Sequence, residues 1–342
     1  MFNIFRKKTE NKVGKVVVFG ASSAVGQSLS MLLKLSPHVK ELVCCNTPLD
    51  ASVPSVGVAA DVSHIDTNTK VRYAQDVSDW PAALHSAQFV AICCGVNFDP
   101  LREFNEAAFA QNAPYMKPVI QAIAESAPSA VIGVVSSPVN SIVPLCAEYL
   151  KAENKFDPRK LLGITTLDVV RARRLAAEAL SMNPFDVNIP VVGGRGGITA
   201  CPLISQTGLR LSTEDIAHIA IQVQQYGTSL HHTDEQTGDK SLTTSVSPSG
   251  ALGSAYATHE LIMSVLKAQR GDYGICECAM VESTVRAETP FFASKIQLGR
   301  EGVESLFPIG NLNEFEQECV DTAAKEVAKD VGMALTYYKN NK

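Results

Sequence analysis

Lys15-Val16-Val17-Val18-Phe19-Gly20-Ala21-Ser22-Ser23-Ala24-Val25-Gly26-Gln27 is the stretch on which the fold turns. A β-branched run ends at a glycine, and from residue 24 to residue 35 apolar residues recur at helical spacing until Pro37. The reading is strand, tight turn, helix. Gly20 and Gly26 permit the tight turn and let the helix pack closely on its strand, while the helix N-terminus offers amide donors to an anion such as a pyrophosphate. Standing alone, Gly-x-x-Ser-x-x-Gly identifies no ligand, because a structural strand-turn-helix uses the same glycines.

Outward from this unit, residues 41–45, 71–74, 89–94 and 130–135 read as further strands with helical stretches between most of them. Buried strands alternating with helices imply a mostly parallel sheet covered on both faces, a doubly wound α/β arrangement. From about residue 161 the pattern changes. Helices are predicted at 167–180, 213–226, 251–269 and 312–339, extended segments near 187–192, 273–281 and 291–298, and a Ser/Thr/Gly-rich loop over 231–249. This second part reads as α+β. The expected organisation is an N-terminal extension (1–14), a Rossmann-type unit (15–158) and a C-terminal unit (159–342), each unit long enough for its own core.

Composition narrows the function. At 46% hydrophobic and 19% charged residues the chain is globular in type, and a net charge of −5 gives no reason to expect a nucleic-acid or acidic-membrane partner. No apolar run approaches the roughly 18 residues that span a bilayer. The leader Met1-Phe2-Asn3-Ile4-Phe5-Arg6-Lys7-Lys8 reads as a frayed extension, with a short targeting segment as the competing reading, and Lys339-Asn340-Asn341-Lys342 spells no peroxisomal or ER-retention address. Nine cysteines, none in a matched C-x-x-C pair, read as reduced, buried thiols in an intracellular protein and supply no metal site. Mitochondrion and cytoplasm both stay open.

Several motifs occur in order along the chain. They are Gly57-Val58-Ala59-Ala60-Asp61-Val62-Ser63-His64-Ile65, Asn112-Ala113, Pro138-Val139-Asn140-Ser141, Gly163-Ile164-Thr165-Thr166-Leu167-Asp168-Val169-Val170-Arg171, Val191-Val192-Gly193-Gly194-Arg195-Gly196-Gly197-Ile198-Thr199 and Phe307-Pro308-Ile309-Gly310. Together with the glycine turn, they make the chain resemble the NAD-dependent malate dehydrogenases of mitochondrial and bacterial type over nearly its whole length. The resemblance implies a Rossmann domain plus a C-terminal α+β domain, NAD as cofactor, and a homodimer. By the same resemblance residues 57–65 form the helix after the second strand, Asn112-Ala113 end the helix of the substrate loop, 138–141 are the turn after the fifth strand, and 307–310 are a late strand.

The resemblance also assigns roles, and several positions depart from them. Asp168 and Arg171 match the aspartate that orients the catalytic histidine and one substrate-binding arginine. At the histidine position stands Arg195. The two loop arginines are missing: Phe98 occupies the first position and Phe104 or Asn105 the second, with Arg102 the one cation left there. Ser137 replaces a substrate-orienting asparagine. On the cofactor side Gly20, Gly26, Gly95 and Asn112 keep their places, Ser23 stands where a further glycine is usual, and Asn46 replaces the acidic residue that accepts from the adenosine ribose. NAD binding that is weakened or lost is what these changes imply.

The chemistry makes the exchange at 195 consequential. Oxidising a hydroxyl by hydride transfer releases a proton, and histidine is the side chain suited to take it near neutral pH. A guanidinium has no acceptor lone pair, so arginine binds anions and is no base. Asp168 is accordingly expected to form a buried ion pair with Arg195, Arg173 and Arg174 to be a solvated helix face, and His64 and His259 to be structural. Two functional readings follow. In the first the chain has lost malate oxidation and binds an anionic metabolite or a partner, including a related active subunit; in the second it is an active dehydrogenase of altered substrate, with Phe98 and Phe104 selecting an apolar 2-oxo acid and water, His231 or His232 supplying the base.

Overall fold

The computed structural model describes residues 14–47, 54–95, 105–229 and 250–341. The opening strand β1 (Lys15–Phe19) runs through the turn into α1 (Ala24–Leu35), as the sequence reading expects. Strands β2 (Glu41–Cys45), β3 (Lys70–Ala74), β4 (Phe89–Ile92), β5 (Val131–Val134) and β6 (Leu161–Gly163) join it in the order β3-β2-β1-β4-β5-β6, all parallel. That order reverses between β1 and β4, the place where doubly wound sheets leave a crevice at the strands' carboxyl ends. The three-residue β6 is the one member of this parallel set that periodicity missed, and it lies past the expected division at residue 158.

The second half does not build a separate sheet. Strands β7 (Val191–Gly193), β8 (Ala200–Pro202), β9 (Ile275–Glu282), β10 (Phe291–Gly299) and β11 (Gly302–Leu306) are antiparallel, and β9 pairs with β6 through Gly163 and Met280. Residues 307–310, expected as a late strand, follow β11 as irregular chain. Pro308 has no amide hydrogen for a ladder, which accounts for the stop.

Alternation within β1 assigns each face of the sheet. Val16 and Val18 pack with Leu29 and Leu33 of α1 and with Leu261, Ile262 and Val265 of α8 (Ala251–Arg270). Val17 and Phe19 belong to the opposite core, with Met116 and Ile120 of α4 (Asn105–Ser126), Ile142 and Val143 of α5 (Val139–Ala152), and Val327 and Val331 of α9 (Glu314–Asn340). All four of these strand residues are fully buried, and each such side chain contributes on the order of 2 kcal/mol. Helices from the second half therefore extend both cores, α8 packing on α1 and α9 on α5. The expectation that each unit keeps its own core holds only for two smaller clusters, around α6 (Thr166–Leu180) with α7 (Thr213–Ser229), and around Val192, Phe292 and Val320.

Two helices extend where proline would suggest a stop. Helix α4 continues through Pro114 and Pro118, so Asn112 lies inside it rather than at its end, and α5 carries Pro144 while beginning at Val139. Asn140 and Ser141 are thus first-turn helical residues and not part of a turn. Packing of Met116, Ile120 and Ile123 into the core outweighs the missing amide bonds.

Candidate active site

The expected cofactor residues, and Ser137 of the expected substrate set, gather at the carboxyl ends of the parallel strands. Gly20 ends β1, Asn46 follows β2, Gly95 follows β4 and Ser137 follows β5. At Gly26 a Cβ would stand 2.1 Å from the Gly20 carbonyl oxygen, so no other residue fits without moving backbone. Ser23 is the N-cap of α1, and its Oγ accepts from the Gly26 amide at 3.0 Å. The serine thus engages one of the amides that a helix N-terminus would otherwise present to a phosphate. Asn46 Oδ1 accepts from the Ser55 amide at 3.4 Å, the start of α2 (Ser55–Ser63). Asn112 is fully buried and donates to the Ser137 carbonyl oxygen at 2.7 Å, and its Oδ1 would sit 2.8 Å from a Cβ at Gly95. The turn from Gly20 to Gly26 keeps the tight backbone that a dinucleotide's phosphates require, with one amide of the α1 terminus taken by Ser23. Its polar groups are partly engaged within the protein.

Arg195 lies at the junction of the two halves, on a hairpin tip. Strands β7 and β8 pair through Gly193 and Ala200, and the Gly194 amide donates to the Thr199 carbonyl oxygen at 2.8 Å. Between them Gly196 and Gly197 take φ of 73° and 53°, left-handed values that favour glycine and let the tip reverse. This is why Gly-Gly-Arg-Gly-Gly can present one long side chain at a fixed point.

That point is Asp168, fully buried in the first turn of α6. Arg195 Nη1 donates to Asp168 Oδ1 at 2.9 Å and Oδ2 at 3.0 Å, Arg171 Nη1 to Oδ1 at 3.1 Å, and the Gly196 amide to Oδ2 at 3.0 Å. The ion pair expected between Asp168 and Arg195 is present. It is not the two-nitrogen fork that guanidinium geometry favours, because Arg171 and the Gly196 amide already approach one oxygen each, and Arg195 straddles both through one nitrogen. The side chains of Arg171 and Arg195 are 11% and 21% exposed, so only a limited part of the two cations is open to solvent.

Sequence reasoning missed the groups that hold this tip. Asn140, 3% exposed, accepts the Arg195 amide on Oδ1 at 2.8 Å and donates from Nδ2 to Asp330 Oδ2 at 3.0 Å and to Thr199 Oγ1 at 3.4 Å. Thr199 in turn donates to the Gly196 carbonyl oxygen at 2.7 Å. Burial pushes the Asp330 carboxyl up, and the hydrogen bond from Asn140 opposes it. The available signal was an asparagine one residue past Val139 in a motif quoted for its turn; Asp330, in the last helix, carried none.

Other expected residues fall elsewhere. Phe98, Arg102, Phe104, His231, His232 and the leader 1–13 lie outside the described residues. Arg174 is exposed and pairs with Glu178 at 3.0 Å, whereas Arg173 is half-buried, with its Nε enclosed against α8, a correction to the solvated face expected for both. His64 caps α2 at its C-terminus, and His259 lies 3.5 Å from Glu260. The nine cysteines are free thiols; seven are buried, Cys319 is intermediate and Cys276 is exposed, against the expectation of uniformly buried thiols. Burial pushes Cys44 up to about 11 and Cys278 up to about 12. Among the described residues no helix is long and apolar enough to cross a membrane.

A parallel sheet with a crevice at its switch point, continued by an antiparallel half that sets an Asp–Arg cluster beside it, defines a two-part dehydrogenase fold. Comparison with known proteins narrows the class. Residues 14–163 match the NAD binding domain of lactate/malate dehydrogenases and residues 165–336 their alpha/beta C-terminal domain. The chain is 38% identical over 330 residues to the glyoxysomal malate dehydrogenase of Oryza sativa subsp. japonica, covering 94% of this chain and 86% of that protein. It is 38% identical to the mitochondrial malate dehydrogenase 2 of Arabidopsis thaliana, covering 94% and 90% respectively. Among solved structures, malate dehydrogenase of Cryptosporidium parvum superimposes with a TM-score of 0.75 at 20% identity, over 94% of this chain and 99% of that one. An L-lactate dehydrogenase of Clostridium thermocellum does so with 0.72 at 22%, over 94% and 99%. This chain belongs to the lactate/malate dehydrogenase family.

Proposed function

We propose that this family member binds an anion at Arg171 and Arg195 without sustaining malate oxidation. The observation that carries the reading is Arg195 Nη1 seated on both oxygens of Asp168. The aspartate that would orient a base instead anchors a cation, and that cation has donors only. Absence of a proton acceptor alone costs about 10²–10⁴ in rate. The two guanidiniums gathered at Asp168 offer donors and positive charge of the kind that bind a carboxylate or phosphate from a metabolite or from an acidic partner.

The residues that would hold NAD are Gly20, Gly26, Asn46 and Gly95, and the cofactor, when bound, would supply hydride chemistry. Ser23 Oγ on the Gly26 amide and Asn46 Oδ1 toward Ser55 reduce what these positions offer, which supports weakened affinity. By family resemblance the chain pairs with itself or with a related subunit; a light-scattering mass of twice the chain supports pairing, and a monomer mass removes it. A second reading, an active dehydrogenase of altered specificity, draws support from the full-length likeness to malate dehydrogenases and from the tight glycine turn kept at Gly20 and Gly26.

The deciding experiment follows NADH oxidation with oxaloacetate beside a known malate dehydrogenase, with malate titrated calorimetrically in parallel. We expect no turnover and saturable malate uptake that varies little between about pH 6 and pH 9, since guanidiniums do not titrate there. Turnover within about a hundredfold of the control would reveal another base and establish the second reading.

A further inference from the structure

The geometry points to Asn140 and Asp330 as the positioning pair that sets Arg195, so that the C-terminal helix α9 governs the anion site; this rests on the anion-binding reading above. Asn140 hydrogen-bonds the Arg195 backbone: its Oδ1 takes the Arg195 amide at 2.8 Å, and its Nδ2 points the other way, to Asp330 at 3.0 Å. An amide group can do both because it carries an acceptor and a donor on opposite sides. Asp330 accepts only, which fixes which way round the amide lies.

The neighbouring chain is shaped to admit this contact. A Cβ at Gly194 would stand 2.8 Å from Asn140 Oδ1 and 2.7 Å from Thr199 Oγ1, so glycine there opens the space through which α5 reaches the tip. Thr199, 6% exposed, links Asn140 to the Gly196 carbonyl oxygen, and the Gly196 amide is the donor that helps hold Asp168. A chain of contacts therefore runs Asp330, Asn140, Arg195 backbone, with Asp168 gripping the same residue by its guanidinium. The backbone clamp and the side-chain clamp act on opposite ends of Arg195, and the guanidinium has a defined position only when both are closed.

An exchange of the two side chains tests this. Asn140→Asp keeps an acceptor for the Arg195 amide but sets two carboxylates about 3 Å apart, where they repel or share a proton. Adding Asp330→Asn restores donor to acceptor with the polarity reversed. We expect the single variant to weaken malate binding, and to speed hydrogen exchange at the Arg195 and Gly196 amides, each by about tenfold, and the double variant to return both to within about threefold of the native protein. Asp330→Ala should move both readouts the same way, while Asp330→Asn, which keeps an acceptor, should hold them; this pair carries the test if Asn140→Asp does not fold.

The proposal is overturned if Asn140→Asp and Asp330→Ala leave exchange and affinity within about twofold of the native protein, or if the double exchange recovers thermal stability without recovering them. If the native protein takes up no malate while amide exchange follows the expected pattern, the anion-binding reading falls and the positioning role stands.

Discussion

The turn between Gly20 and Gly26 and the hairpin tip bearing Arg195 are held by opposite means. The turn is specified by what is absent: a side chain at 26 would collide with backbone, and no charge is needed to keep it. The tip is specified by charge, with two guanidiniums and an amide converging on one buried carboxylate. The difference teaches where a family fold tolerates change. Shape-determined backbone leaves the glycines in place, while a charge-determined site can be rebuilt around a different cation and remain well packed.

The strongest way to break this contrast is to remove the anion at its centre. Asp168→Ala would remove the carboxylate that Arg171 and Arg195 share and leave the Gly196 amide without its acceptor. Stability should fall by about 3–5 kcal/mol, read as the denaturant midpoint at unchanged slope. A loss under about 1 kcal/mol would mean that the tip is held by the Asn140 contacts and that charge is secondary.

On the turn side, Gly26→Ala should cost about 1–3 kcal/mol, because the new Cβ meets the Gly20 carbonyl and the atom that must yield is backbone. Gly57→Ala is the matched control. It lies within α2 with nothing near its Cβ, so the same chemical change should stabilise by about 0.5–1 kcal/mol. Equal effects at the two positions would remove the claim that shape selects the turn.

The polar departures around the crevice allow a finer test. Ser23→Gly frees the Gly26 amide at a capping cost of only a few tenths of a kcal/mol, and Asn46→Asp restores a charged acceptor at the end of β2. Each should tighten NADH, followed by its fluorescence, by about tenfold. Unchanged or weaker binding would show that neither group limits the cofactor.

Legibility followed the same division. Patterns that bury whole faces were readable: β1 with α1, the parallel strands through β5, and helices α6, α8 and α9 all stand close to their expected places. The three-residue β6 was not, since so short a run shows no periodicity, and helices that pass through Pro114, Pro118 and Pro144 contradict local rules that packing overrides. In the site, the Asp168 to Arg195 pair was accessible because charge complementarity can be argued from residue type. Asn140, Thr199 and Asp330 were not, because they are separated by 59 and 190 residues from their contacts and each is chemically ordinary until the fold assembles them.

The smallest effect sharpens the charge half of the comparison by asking what happens to an enclosed carboxyl without two guanidiniums on it. Glu277 on β9 accepts from Ser264 Oγ at 2.5 Å, and burial pushes its carboxyl above the usual glutamate range, only partly opposed by Arg173 and Lys267. A carboxyl raised by folding stabilises the native state most below its unfolded value, near pH 4, and that contribution disappears as pH rises through the folded value. Glu277→Gln keeps an acceptor for Ser264 and cannot ionise. Relative to the native protein it should therefore gain stability between pH 4 and pH 7, by under about 1 kcal/mol, in paired urea titrations. A difference that stays constant between the two pH values would mean that Glu277 ionises as freely as in the unfolded chain, and that burial alone does not separate it from Asp168.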